Sequence, residues 1–286
     1  MMKPWLITGI PRSGTTLLAA LIDSMEDSVC LNEPLWQQDL AKTSSNADEF
    51  VHKLVSDCSQ LRAKLHGGES LPDLRRSDGL PVTNYLNDRG EVIVRPALFS
   101  RSGLSADFTL AVKHNGLYLG ALPQLIASGK FKIIALIRHP LEVLASWRAS
   151  SLPVSRGELP AATYFWPEMA ALMRKPMDMP AQGAARSGGV WGEGPQHKNH
   201  ILDKQLHLLE LLYRRIHEHE KHITLLRYEE LVAHPSQLEK LFGRPLGQHH
   251  FSISKQAIKP LDIPLELLRK KIKDIAPFAR YYYPEF

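Results

Sequence analysis

The sequence predicts an α/β fold, with a central and mostly parallel sheet covered by helices on both faces. Three observations carry that expectation. Short apolar runs without alternation, such as Trp5–Ile10 and Phe131–Ile137, suit strands buried on both faces. Segments with apolar residues at helical spacing follow those runs, as in successive βαβ units. The 286 residues are also enough to build a proper core, because a chain of that order buries about three quarters of its unfolded surface.

The elements follow in order. Trp5–Ile10 is a strand, broken by Pro11-Arg12-Ser13-Gly14, and Thr15–Met25 carries Leu17, Leu18, Leu21, Ile22 and Met25 at helical spacing. Ser28–Leu31 is a second strand, ended at Asn32-Glu33-Pro34. Residues 40–105 read as an insertion, with an amphipathic helix over Asp48–Leu65. Within it, Val82–Leu86 and Glu91–Val94 flank Asn87-Asp88-Arg89-Gly90 as a hairpin. The α/β pattern resumes with strand Phe108–Val112, helix Leu117–Ala127, strand Phe131–Ile137 and helix Leu141–Ala149. Residues 150–200 are rich in Pro and Gly and read as a mobile loop or lid, a second insertion within a single domain spanning 1–286. Helix Ile201–His219, strand Ile223–Leu226, a helical segment Tyr228–Ala233 and helix Leu265–Ile275 complete the chain.

Composition narrows the class. Apolar residues make up 44% and charged residues 23%, which excludes a disordered or collagen-like chain. Two cysteines, Cys30 and Cys58, exclude a disulfide scaffold and fit a reducing compartment. Lys and Arg exceed Asp and Glu by 35 to 30, a mild excess that favours an anionic partner without naming one. No apolar run reaches the roughly 18 residues of a membrane span, and the first strand begins too early for a signal peptide. The expected location is cytoplasmic. Basic residues form no aromatic-plus-basic stripe, so no nucleic-acid partner is expected. His217, His219 and His222 lie on a polar helix end without ligand spacing, so no metal is expected.

The first strand–helix junction, Gly9-Ile10-Pro11-Arg12-Ser13-Gly14-Thr15-Thr16, has the G-x-x-x-x-G spacing of a phosphate loop. Such a loop points successive backbone N–H groups at one spot, beside the positive end of the helix dipole. Thr15 stands where the nucleoside-triphosphatase motif has its Lys, and no acidic residue closes a core strand, which argues against ATP or GTP hydrolysis. The local cation is Arg12, whose planar fork suits a tetrahedral oxyanion.

Pro-Arg-Ser-Gly-Thr-Thr after a first strand resembles the phosphosulfate loop of sulfotransferases that use 3′-phosphoadenosine-5′-phosphosulfate (PAPS). The Arg form is similar to the tyrosylprotein and related bacterial branches. The resemblance implies a P-loop-like three-layer fold, with Arg12, Ser13, Gly14, Thr15 and Thr16 around the 5′-phosphate and sulfonate. A second segment, Lys132–Pro140 leading to Ser146, resembles the family's 3′-phosphate element, with Arg138 and Ser146 eight positions apart. The Arg that follows one turn later in that branch is Ser150 here, with Arg148 as a substitute. Tyr228 resembles a tyrosine near the nucleotide, and also reads as a core residue at a strand-to-helix junction. Lys259, in Ile258-Lys259-Pro260, resembles a cofactor-reaching lysine, and also reads as a solvated one.

Sulfonate transfer needs a proton acceptor for the attacking group and positive charge for the departing oxygens. Glu33 follows the second strand on the sheet edge where Arg12 emerges, and its separation from Arg12 resembles that of the family's catalytic Glu. It is the first choice of base. Lys113 resembles the family's lysine on the leaving oxygen, and His114 is the reserve base, one residue before the position where cytosolic members have His; that position is Asn115 here. If the chain stays extended, His114 points elsewhere.

The expected function is therefore PAPS-dependent transfer of a sulfonate to a hydroxyl, with an amine as second choice, without a metal, leaving 3′,5′-adenosine bisphosphate. The acceptor is a small molecule, carbohydrate or lipid. Trp36, Tyr85, Phe99, Tyr164, Phe165, Trp166 and Trp191, in the two insertions, are candidates to line its pocket. Two rival readings remain, a P-loop small-molecule kinase and a non-catalytic nucleotide-binding protein.

Overall fold

The computed structural model describes residues 2–75, 81, 82, 84, 95–174, 195–247 and 263–285. Among these, five strands form one sheet: β1 (Trp5–Gly9), β2 (Ser28–Asn32), β5 (Thr109–Lys113), β6 (Lys132–Ile137) and β7 (Thr224–Arg227), in the order β2-β5-β1-β6-β7. Every pairing is parallel, with Asn32 beside Lys113, Gly9 beside Leu136 and Ile137 beside Arg227. All five carboxyl ends therefore lie along one edge.

Alternation along the strands divides the core between two faces. Leu6, Val112, Ile133 and Ala135 point into one apolar cluster, with Phe50 and Leu54 of helix Ala47–His66 and Leu206 and Leu209 of helix Pro195–Glu218. Trp5, Ile7, Ala111, Ile134 and Leu136 point into the other, against Leu17, Leu18 and Leu21 of helix Thr15–Asp23. Many of these side chains are wholly buried, each worth roughly 1.5–3 kcal/mol against leaving it exposed.

The structure corrects several sequence expectations. The antiparallel pair described in the first insertion is β3 (Leu71–Arg75) with β4 (Arg95–Phe99), which flank the segment where the hairpin is expected. Residues 83 and 85–94, with most of that expected hairpin, lie outside the described residues. The expected helix Leu117–Ala127 is two helices, Asn115–Gly120 and Leu122–Ser128, joined at Ala121. Residues 153–174 are not a loose loop. They form 3₁₀ turns at Pro153–Arg156 and Pro160–Tyr164 and a helix at Pro167–Arg174, with Ala162, Trp166 and Met169 in the core. No helix among the described residues is long and apolar enough to cross a membrane.

Gly116 explains how this insertion seats itself. A Cβ there would lie 2.8 Å from the Ala161 Cβ, so helix Asn115–Gly120 approaches the turn Pro160–Tyr164 as closely as backbones permit.

Candidate active site

A cavity of about 450 Å³ opens at the carboxyl edge of the sheet, where open α/β sheets bind ligands. Each of the five parallel strands contributes a lining residue at or just past its end: Arg12 after β1, Glu33 after β2, Lys113 at the end of β5, Arg138 after β6 and Tyr228 after β7.

The phosphate loop runs from β1 into helix Thr15–Asp23, whose N-cap is Gly14 with φ of 95°. A Cβ at Gly14 would sit 2.4 Å from the Tyr228 ring, so glycine serves both the turn and the close approach. The first turn of the helix has amides with no intrahelical acceptor. Gly14, Thr15 and Thr16 line the cavity, whereas Ser13 does not. Ser13's amide donates to the Ile10 carbonyl at 2.9 Å and its hydroxyl to the Leu136 carbonyl at 2.8 Å, so both its donors serve the loop itself.

Arg12 is held at both ends of its guanidinium. Nε donates to Ser146 Oγ at 3.0 Å, and a terminal nitrogen donates to Asn84 Oδ1 at 3.0 Å. Arg138 lies beside it and donates to the Arg12 carbonyl at 3.4 Å. Burial, and then the neighbouring Arg138 charge, lower the Arg12 pKa to about 10. Two guanidinium groups held together with little solvent favour an anion between them. Arg138 is positioned by an ion pair to Glu142 at 2.6 Å, by the Tyr228 ring 4.2 Å below its guanidinium, and by Tyr213, whose hydroxyl donates to the Arg138 carbonyl.

Across the cavity, Lys113 Nζ donates to Glu33 Oε1 at 2.5 Å, with the lysine buried and the carboxylate about a quarter exposed. The Glu33 amide donates to the Lys113 carbonyl at 2.8 Å, so backbone and side chains of β2 and β5 are tied at one point. His114 lines the cavity rather than pointing away, because the helix starting at Asn115 folds over the strand end. Its Nδ1 accepts the Leu117 amide at 3.4 Å, and burial pushes its pKa down to about 4. A ring so weakly basic is a poor proton acceptor at neutral pH.

Other expectations fare unevenly. Ser146 meets Arg12 but does not line the cavity, and neither does Arg148. Ser150 donates to the Trp147 carbonyl at 2.8 Å. Lys259 lies outside the described residues, as do Tyr85 and Trp191. Of the remaining aromatic candidates only Tyr164 lines the cavity. Trp36 donates to Asp57, Phe99 lies under Arg75, Phe165 stacks on Phe50, and Trp166 is buried under Arg215. Tyr228 is part of the core, as one of its two readings has it, and also lines the cavity. Asn84, Gln38 and the apolar arc Leu152, Val154, Leu159 and Ala161 carried no sequence signal. Among the described residues, no group of three or more His, Cys, Asp or Glu is placed to hold a metal ion.

Comparison with known proteins follows the same line. A family model described as Sulfotransferase domain matches residues 3–243. The chain is similar to the solved structure of sulfotransferase STF1 from Mycobacterium tuberculosis H37Rv, at 12% identity over 96% of this chain and 77% of that one, with a TM-score of 0.40. It is also similar to sulfotransferase STF9 from Mycobacterium avium, at 11% identity over 95% and 75%, with a TM-score of 0.39. No curated protein sequence matches it.

Proposed function

The chain belongs to the sulfotransferase family, and from that premise we propose that it moves a sulfonate from PAPS to the hydroxyl of a small acceptor, with Glu33 as general base. The observation that carries this reading is the convergence of Arg12 and Arg138 at the phosphate loop, opposite the Lys113–Glu33 pair.

The residues divide the work by charge. Arg12 and the amides of Thr15 and Thr16 bind the 5′-phosphate and sulfonate oxygens, where fixed donors are worth most in a site shielded from water. Arg138 binds the 3′-phosphate, and Ser146 acts through Arg12 as its positioning partner. Glu33 takes the proton of the attacking hydroxyl as the new sulfur–oxygen bond forms and the bond from sulfur to the phosphate oxygen breaks. A neutralised Glu33 holds Lys113 less strongly. The ammonium is then available to the departing oxygen of 3′,5′-adenosine bisphosphate, so proton removal and leaving-group stabilisation are linked through one ion pair.

Calorimetric titration with 3′,5′-adenosine bisphosphate in the presence of EDTA tests the donor assignment. Binding is expected without magnesium, and Arg138→Ala weakens it at least about tenfold, the loss of charge-assisted hydrogen bonds. Absence of that binding together with robust magnesium-dependent ATP binding overturns the assignment in favour of a kinase.

A further inference from the structure

The peptide group between Arg138 and His139 lies past Ile137, the last residue of β6 paired to β7. Side chains take both of its polar ends. The Arg138 carbonyl accepts the hydroxyl of Tyr213, from helix Pro195–Glu218. The His139 amide donates to Glu229 Oε1 at 2.9 Å, from helix Tyr228–Ala233. A peptide group is planar, so holding its carbonyl and its amide fixes the whole plane. The plane in turn sets the direction in which the Arg138 side chain leaves the backbone.

Glu229 is itself held by the C-terminal segment. Its other oxygen accepts the Tyr283 hydroxyl at 3.0 Å. Tyr283 follows helix Pro277–Tyr282 and is 5% exposed. Its ring makes T-shaped contacts with His139 at 5.3 Å and with Tyr213 at 6.5 Å between centroids. Two residues on, Glu285 Oε1 lies 3.3 Å from His139 Nε2. Tyr283 therefore touches Glu229, Tyr213 and the histidine between them. None of Tyr213, Glu229 and Tyr283 lines the cavity, so any effect they have on a bound nucleotide runs through Arg138.

We propose that Glu229 and Tyr283 are positioning residues for the 3′-phosphate of the nucleotide. With Tyr213 they clamp the Arg138–His139 peptide and so aim the Arg138 guanidinium. The ion pair to Glu142 at 2.6 Å and the Tyr228 ring at 4.2 Å act on the Arg138 side chain; the clamp acts on its backbone. A guanidinium binds phosphate through donors in a fixed planar fork, so its direction matters as much as its charge. This inference rests on the assignment of Arg138 to the 3′-phosphate proposed above.

The test compares 3′,5′-adenosine bisphosphate with adenosine 5′-monophosphate, which lacks only the 3′-phosphate, by calorimetric titration in EDTA. The ratio of the two affinities isolates the 3′-phosphate contact. The wild type is expected to prefer the bisphosphate by about a hundredfold or more, the effect of charge-assisted hydrogen bonds from a guanidinium. Glu229→Ala is expected to lower that ratio about tenfold. Tyr283→Phe, which removes one hydroxyl and keeps the ring, is expected to lower it about threefold. In both variants the loss falls on the bisphosphate, and the affinity for the monophosphate is kept.

An unchanged ratio in either variant overturns the clamp. So does a parallel loss of both affinities in Tyr283→Phe, the mark of a residue that only holds the fold. If Glu229→Ala does not fold, Tyr283→Phe decides alone. A wild type that binds the two nucleotides equally overturns the assignment of Arg138 and the clamp with it. A wild type that discriminates, with variants that discriminate as well, overturns the clamp and leaves the Arg138 assignment standing.

Discussion

Arg12 and Glu33 share a backbone feature as well as a cavity. Their φ values are 72° and 52°, in the left-handed region where non-glycine residues are strained. At both positions the chain leaves a strand end, and both residues line the cavity. His114 carries a different cost. Burial lowers its pKa from its ordinary value near 6.5 to about 4. In the unfolded chain the ring takes a proton below about pH 6.5, while the folded protein resists it until about pH 4. Stability is therefore full above pH 6.5 and falls between pH 6.5 and 4, by on the order of 3 kcal/mol from this residue. Urea denaturation at about pH 7 and about pH 4.5 is expected to show a larger loss for the wild type than for His114→Gln; equal losses contradict the assignment. At this scale the sequence is legible where function is local. The loop from Gly9 to Thr16 and the Arg138 segment each follow a strand, so their roles are written in consecutive residues. Asn84 is not, because it reaches Arg12 across 72 positions, and no spacing rule spans that.

Among the elements, the parallel strands were readable because both of their faces are apolar. Elements that depart from such simple patterns were read less well. In β3, Asp73 and Arg75 point inward with Leu71, and Arg75 is paired to Asp23 at 3.0 Å, both side chains 1% exposed. Inward charges invert the alternation by which a strand is recognised, so β3 carried no strand signal in the sequence. Helix Asn115–Gly120 is buried all round, which removes the helical period and hides the break at Ala121. The contact of this helix with the turn Pro160–Tyr164 holds one wall of the cavity. Gly116→Val places carbon where the Ala161 Cβ and Ala162 amide already stand, at 2.8 Å and 3.2 Å from the first added atom. Overpacking of this kind costs about 1–3 kcal/mol. Thermal or urea unfolding is expected to show that loss, with the acceptor KM raised and the affinity for 3′,5′-adenosine bisphosphate kept. An unchanged midpoint contradicts the close packing.

Over the whole molecule, the excess of 35 basic over 30 acidic residues says little about the site. What matters is that parallel topology gathers Arg12, Lys113 and Arg138 at one edge of the sheet, although Arg12 lies more than a hundred residues before the other two in sequence. The most direct test of the account is transfer of radiolabelled sulfonate from PAPS to a panel of small hydroxyl acceptors in EDTA, by the wild type and by Glu33→Gln. The account predicts transfer by the wild type and a fall in kcat of about a hundredfold or more in Glu33→Gln, with the affinity for 3′,5′-adenosine bisphosphate retained. Transfer by Glu33→Gln at the wild-type rate, or a wild type that turns over ATP and not PAPS, would contradict it.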